Sequence, residues 1–217
     1  MEATDTMERF RQAVAGWAAG DAAAGAAVRD LVGNIRMAVL VEGASDSAAV
    51  EALAARKGVK LDAGGVATVP MGGATNIARY VELLGPGGLG LELAGLCDAG
   101  EERYFMRGLE RAGLGPCPGR GALEKLGFFV CVADLEDELI RALGPAAVEQ
   151  VVADHGDLRS WRLFQNQPAQ RGRPVDRQLR RFMGTQGGRK INYGRHLANG
   201  LALDRVPAPL EGLLSCI

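Results

Sequence analysis

Three acidic clusters in the chain each follow a short apolar run. Met37–Val41 leads into Glu42-Gly43-Ala44-Ser45-Asp46. Leu91–Cys97 leads into Asp98-Ala99-Gly100-Glu101-Glu102, and Phe128–Val132 into Asp134-Leu135-Glu136-Asp137-Glu138. One acidic loop is ordinary helix capping, but three on one rim repel one another unless a cation neutralises them. Carboxylate oxygens without histidine select Mg²⁺ or Mn²⁺, ions that serve mostly in phosphoryl transfer. A His-rich metal site is excluded, because the only histidines are His155 and His196. Cys97, Cys117, Cys131 and Cys216 form no CxxC pair. That argues against zinc or a disulfide framework and for reduced, mostly buried thiols.

The elements around these clusters predict their placement. Short apolar runs at 37–41, 66–69, 91–97 and 128–132 read as buried strands. Between them, helical spacing runs over 45–57, 75–84 and 101–112, and 135–143 follows the last strand. Strands alternating with helices imply right-handed crossovers and a mostly parallel four-stranded sheet with helices on both faces, an α/β fold. Ligands of such sheets bind beyond the carboxyl ends of the strands, where the acids stand. The second strand ends instead in Pro70-Met71-Gly72-Gly73, which either offers backbone amides to a phosphate or is a plain turn. Residues 7–33 read as one or two Ala-rich helices. After about 144 the pattern is helical only, with helices at 175–183 and 189–203; Val206–Leu210 reads as a stop before a short C-terminal turn. The expected organisation is an N-terminal helical segment (1–36), a core (37–143) and a basic helical extension packing on it (144–217).

Composition narrows the classes further. The chain has 217 residues, 47% hydrophobic and 24% charged, so it can bury a core and is not disordered. Its net charge of −1 conceals an asymmetry: residues 158–195 carry ten basic side chains and one acid, Asp176. An acidic body joined to an arginine-rich segment suits a metal-using enzyme with a polyanionic substrate; the alternative is a solvated helical face. Gly85-Pro-Gly87-Gly-Leu-Gly90 spells G-x-G-x-x-G, but a helix precedes it and a strand follows, the reverse of a dinucleotide fingerprint. No P-loop sequence occurs, so no ATP site is expected. No apolar run reaches a membrane span and the acidic N-terminus is unlike a secretory signal, so a soluble cytoplasmic protein is expected, with no membrane partner.

Leu40-Val41-Glu42-Gly43-Ala44-Ser45-Asp46, Val69-Pro70-Met71-Gly72-Gly73 and Leu96-Cys97-Asp98-Ala99-Gly100, taken in order, resemble the Toprim domain of topoisomerases, primases and related nucleases. The nearest resemblance is to the Toprim domain of the overcoming-lysogenization-defect (OLD) endonucleases. Asp134–Leu139 and Gly188-Arg189-Lys190 fit the same family, and the match spans about residues 37–205. The resemblance implies a Rossmann-like core and a Mg²⁺- or Mn²⁺-dependent nuclease that nicks or cuts DNA, using one or two ions. It makes Glu42, Asp46 and Asp98 metal ligands, with Glu42 also catalytic. An acid of the third cluster, Glu136 foremost and Asp134 beside it, completes the shell. Lys190 becomes the basic residue that stabilises charge on the phosphate, and Arg171, Arg173, Arg177, Arg180, Arg181 and Arg189 the nucleic-acid-binding surface.

Two departures from the pattern matter. Gly100 stands where the family shows the second Asp of Asp-x-Asp, leaving Glu101 or Glu102 to supply the ligand. Only about 36 residues precede the first strand, where the family's full-length nucleases carry an ATPase domain, so action without ATP or with a separate ATPase chain is expected. A non-catalytic nucleic-acid-binding or regulatory module, or a nucleotidyl transferase, are the alternatives. The oligomeric state is left open, and a dimer is compatible with the sequence.

Overall fold

A computed structural model describes residues 2–184 and 189–217, with side chains described for 5–184 and 191–217. Four strands, β1 (Met37–Val41), β2 (Val66–Pro70), β3 (Glu92–Asp98) and β4 (Phe128–Cys131), form one sheet in the order β2-β1-β3-β4. Every pair is parallel. The strand expectations hold to within about a residue at each end.

Strand β1 shows why its sequence is unbroken in apolar character. All five of its residues are buried. Met37, Val39 and Val41 enter one core, and Ala38 and Leu40 enter the other. A parallel strand covered on both faces has no polar side to show. At the sheet's centre, Gly95 leaves no room for a side chain: a Cβ there would lie 2.5 Å from the Leu40 carbonyl oxygen.

Helices α1 (Glu2–Ala18), α2 (Ala22–Leu31), α4 (Ile77–Leu84), α5 (Glu102–Arg111) and α6 (Arg120–Lys125) build the core that receives Leu40. Across the sheet lie α3 (Ala44–Arg56), α7 (Leu135–Leu143), α8 (Pro145–Asp154), α9 (Leu158–Gln165), α10 (Val175–Met183), α11 (Arg189–Gly200) and α12 (Ala208–Ser215). Helix α1 is tied to the edge strand, because Arg11 Nε donates to the Thr68 carbonyl at 3.0 Å and Nη2 pairs with Glu51 of α3 at 3.2 Å. Among the described residues no helix is long and apolar enough to cross a membrane.

Two readings of the chain needed correction. The segment after Val206 is a helix, α12, and not a short turn. Its prolines stand at the cap and in the first turn, where a missing N–H costs nothing. The helix expected to end at Leu203 ends at Gly200.

Helix α11 lies across α3 at closest approach through Gly194. A Cβ on Gly194 would fall 2.5 Å from the Ser45 carbonyl oxygen and 2.8 Å from its hydroxyl. Arg56 of α3 adds a bond to the Ala198 carbonyl at 2.8 Å. The late helices therefore grip the first turn of α3, directly after the first acidic loop.

Candidate active site

The order β2-β1-β3-β4 reverses direction between β1 and β3, so these central strands flank the topological switch point, where open α/β sheets bind ligands. Glu42 follows β1 and Asp98 ends β3, which puts both at that point. A cleft of about 330 Å³ opens there, lined by Glu42–Asp46, Gly72, Gly73, Asp98, Glu136 and Ile191.

Each acid is set in place differently. Asp46 lies in the first turn of α3, and its Oδ2 accepts the Gly43 amide at 2.9 Å, which caps the helix. Glu136 is 4% exposed and accepts the Ser45 hydroxyl at 3.0 Å. That bond ties the loop after β4 to the loop after β1. Asp98 makes no side-chain hydrogen bond among the described residues. Its carboxyl is pushed up to about 8, first by burial and then by the charges of Asp134, Asp46, Glu42 and Glu136. Burial, reinforced by Asp98, pushes the thiol of neighbouring Cys97 up to about 12 and raises that of Cys131 as well, which disfavours thiolates beside the cleft.

The third cluster divides, and only Glu136 lines the cleft. Asp134 caps α7 by accepting the Asp137 amide at 2.8 Å, and its other oxygen is held by Arg180, with Nε at 2.6 Å and Nη2 beside it. Glu138 accepts the Val132 amide at 2.7 Å and pairs with Arg141. Arg180, expected on a substrate surface, is thus a clamp on Asp134. Arg171, Arg173, Arg177 and Arg181 are exposed. The side chains of Arg189 and Lys190 lie outside the described residues.

The replacement ligand expected from Glu101 or Glu102 is not at the cleft. Glu101 precedes α5 and is not among the lining residues, and Glu102 pairs with Arg120 at 3.0 Å. Two residues beyond the expected ligands, Ser45 and Ile191, also line the cleft. Ser45 lay inside the recognised Glu-Gly-x-Ser-Asp element, and that was its only signal. Ile191 had none, because it reaches the cleft only through the packing of α11 on α3.

Four carboxylates and no lining histidine or cysteine make donor chemistry that fits a small divalent cation. Among the described residues, no three potential ligands converge into a finished shell.

Residues 35–99 match the family model of the overcoming lysogenization defect protein-like TOPRIM domain. Over that span, less than half of the chain, the sequence is similar to an OLD-like Toprim domain. The C-terminal region of the OLD protein of Xanthomonas campestris pv. campestris superposes with a TM-score of 0.66 at 26% identity, covering 83% of this chain and 91% of that one. The C-terminal region of the Burkholderia pseudomallei OLD protein does so with a TM-score of 0.65 at 24% identity, covering 84% and 96%. No curated protein matches the chain. The Toprim match ends one residue after Asp98, so it contains Glu42, Asp46 and Asp98 but not Glu136.

Proposed function

We propose that this protein is a divalent-metal-dependent nuclease that hydrolyses phosphodiester bonds in DNA. One observation carries the reading: carboxylates that follow three strands line one cleft at the switch point, and there Asp98 is pushed up to about 8. Perturbed carboxyls in a cleft mark sites of function. Glu42, Asp46, Asp98 and Glu136 would hold Mg²⁺ or Mn²⁺, which supplies Lewis-acid polarisation of the phosphoryl oxygen and a more acidic bound water.

The chain's own groups do the positioning. The Gly43 amide orients Asp46, and the Ser45 hydroxyl orients Glu136. Gly72 and Gly73 form a wall without side chains, past which a phosphodiester can approach; a Cβ at either would meet nothing within 4 Å. Arg171, Arg173, Arg177 and Arg181 offer cations to flanking phosphates. Lys190 takes the role of stabilising charge on the phosphate.

Gly100 favours a second reading, a nucleic-acid-binding module without catalysis. It stands where a second aspartate is expected, and neither neighbouring glutamate lines the cleft. Incubating supercoiled plasmid with the protein in Mg²⁺, Mn²⁺ or Ca²⁺ separates the two. Nicking in Mg²⁺ or Mn²⁺ that Asp98→Ala abolishes and Arg177→Ala only weakens supports the nuclease. Salt-sensitive binding without nicking in any metal supports the module.

A further inference from the structure

Helix α5 begins four residues after Asp98 and turns an unusual surface to solvent. Arg103 and Tyr104 in its first turn, and Arg107 one turn on, are all exposed. Tyr104 is 45% exposed, and its hydroxyl makes no hydrogen bond among the described residues. Arg103 and Arg107 make no ion pair among them. The opposite side, with Phe105, Gly108 and Leu109, is buried. Gly108 packs so closely on α4 that a Cβ would lie 2.8 Å from Ile77. The first turn of α5, which carries Tyr104, lies at the same edge of the sheet as Asp98, the last residue of β3. That edge also holds the turn at Ala74–Asn76, which touches α5 and follows the Gly72–Gly73 wall of the cleft.

Two aliphatic side chains stand on the same rim. Val132, directly after β4, is 62% exposed, and Ile191, which lines the cleft, is 41% exposed. Exposed apolar residues scattered singly need no explanation. Here Ile191 lines an anionic cleft, and Tyr104 and Val132 follow β3 and β4 at the same edge of the sheet, beside two cations without an ion-pair partner among the described residues.

The acids of the cleft repel a polyanion, so a nucleotide there must be held by contacts that carry no negative charge against them. A base stacked on an aromatic ring is such a contact, and arginines just outside can take the flanking phosphates. In a duplex the base faces are already covered by neighbouring pairs, so only an unpaired base can stack on Tyr104. We propose that Tyr104, flanked by Arg103 and Arg107, is the docking surface for an unpaired DNA strand leading into the cleft, with Val132 and Ile191 as apolar edges. The role of the cleft rests on the nuclease reading; docking needs neither metal nor cleavage.

Binding of a dye-labelled oligothymidylate of about 16 nucleotides, followed by fluorescence anisotropy in EDTA, tests the surface directly. Tyr104→Ala should weaken binding about 5- to 100-fold, and Tyr104→Phe, which keeps the ring, should stay within about twofold of wild type. Neither should change the affinity for a blunt duplex. Arg103→Ala combined with Arg107→Ala should flatten the slope of log K against log salt by about 1.4 on the single strand. Single-strand binding by Tyr104→Ala at wild-type affinity would overturn the proposal. So would equal losses in the Phe and Ala variants, or tighter Tyr104-dependent binding of RNA of matching length. Tyr104-dependent binding without plasmid nicking in any metal upholds the docking surface and refutes the catalytic reading. Nicking with binding indifferent to Tyr104 does the reverse.

Discussion

Replacing Asp98 by asparagine removes the ionisable group at the centre of the acid cluster while keeping its shape. The native carboxyl lies near 8, against an ordinary value of 3.8. Taken whole, that difference disfavours the native carboxylate by about 5–6 kcal/mol at high pH. Asp98 is only partly buried, and water enters the open cleft, so about a third of this, ~2 kcal/mol, is the expected effect. The native state holds the Asp98 proton more tightly than the unfolded chain. Between about pH 4 and 8 the unfolded state therefore binds fewer protons, and wild-type stability falls as pH rises through that window. Asp98→Asn escapes the fall. In EDTA its advantage should be near zero at about pH 4 and reach ~2 kcal/mol above about pH 8, a rise in Tm of about 4–8 °C. Urea melts followed by circular dichroism at about pH 5, 7 and 8.5 measure it. Adding Mn²⁺ should stabilise the wild type more than the variant, because the cation replaces the missing counter-charge. If the variant is no more stable than wild type at about pH 8.5, or its advantage does not shrink toward pH 5, the carboxylates do not crowd Asp98 and the site assignment fails.

Gly194→Ala should destabilise the protein by about 1–3 kcal/mol, since its Cβ would meet Ser45 backbone at 2.5 Å and push α11 off α3. Thermal melting reads that loss, and nicking should fall with it as Ser45 and Glu136 shift. Arg180→Ala should cost about 1 kcal/mol in urea melts by uncovering Asp134, while Arg181→Ala, exposed, should cost under about 0.5. On duplex DNA, Arg177→Ala and Arg181→Ala should each reduce the salt slope by about 0.9, and an unchanged slope would remove that face from the substrate surface. Gly100→Asp has open space around it and should raise Mn²⁺ or Mg²⁺ affinity in calorimetry; unchanged affinity means that the position faces no metal.

Much of the fold could be read directly from the chain. Parallel strands covered on both faces must be continuously apolar, so β1 announced itself through five consecutive apolar residues, all of which the structure buries. Once the strands were placed, the acids after β1, β3 and β4 had to lie on one rim, because parallel strands end on the same side. The order of the Glu42–Asp46, Gly72–Gly73 and Asp98 elements was enough to suggest the Toprim resemblance. Helices α6, α8, α9 and α12 were not singled out. They are short, and packing on the sheet stabilises them more than their own periodicity does.

Only the tertiary structure decided which charges face the cleft and which are bound elsewhere. Asp134, Glu136, Asp137 and Glu138 occupy scarcely more than one helical turn, and a period of 3.6 residues points them in different directions. Glu136 reaches Ser45 of α3 on the same face of the sheet, Asp137 and Glu138 turn to Arg141, and Asp134 meets Arg180, 46 residues away in sequence. No local pattern encodes such a pairing, because it depends on α10 folding back over the start of α7. Gly194 shows the same limit: an unremarkable glycine in the sequence becomes the contact through which α11 holds the first acidic loop. Residue types and spacing determined the sheet and the chemistry available on its rim. Long-range packing determined which side chains can use it, since the position of each helix is set by partners far away in the chain.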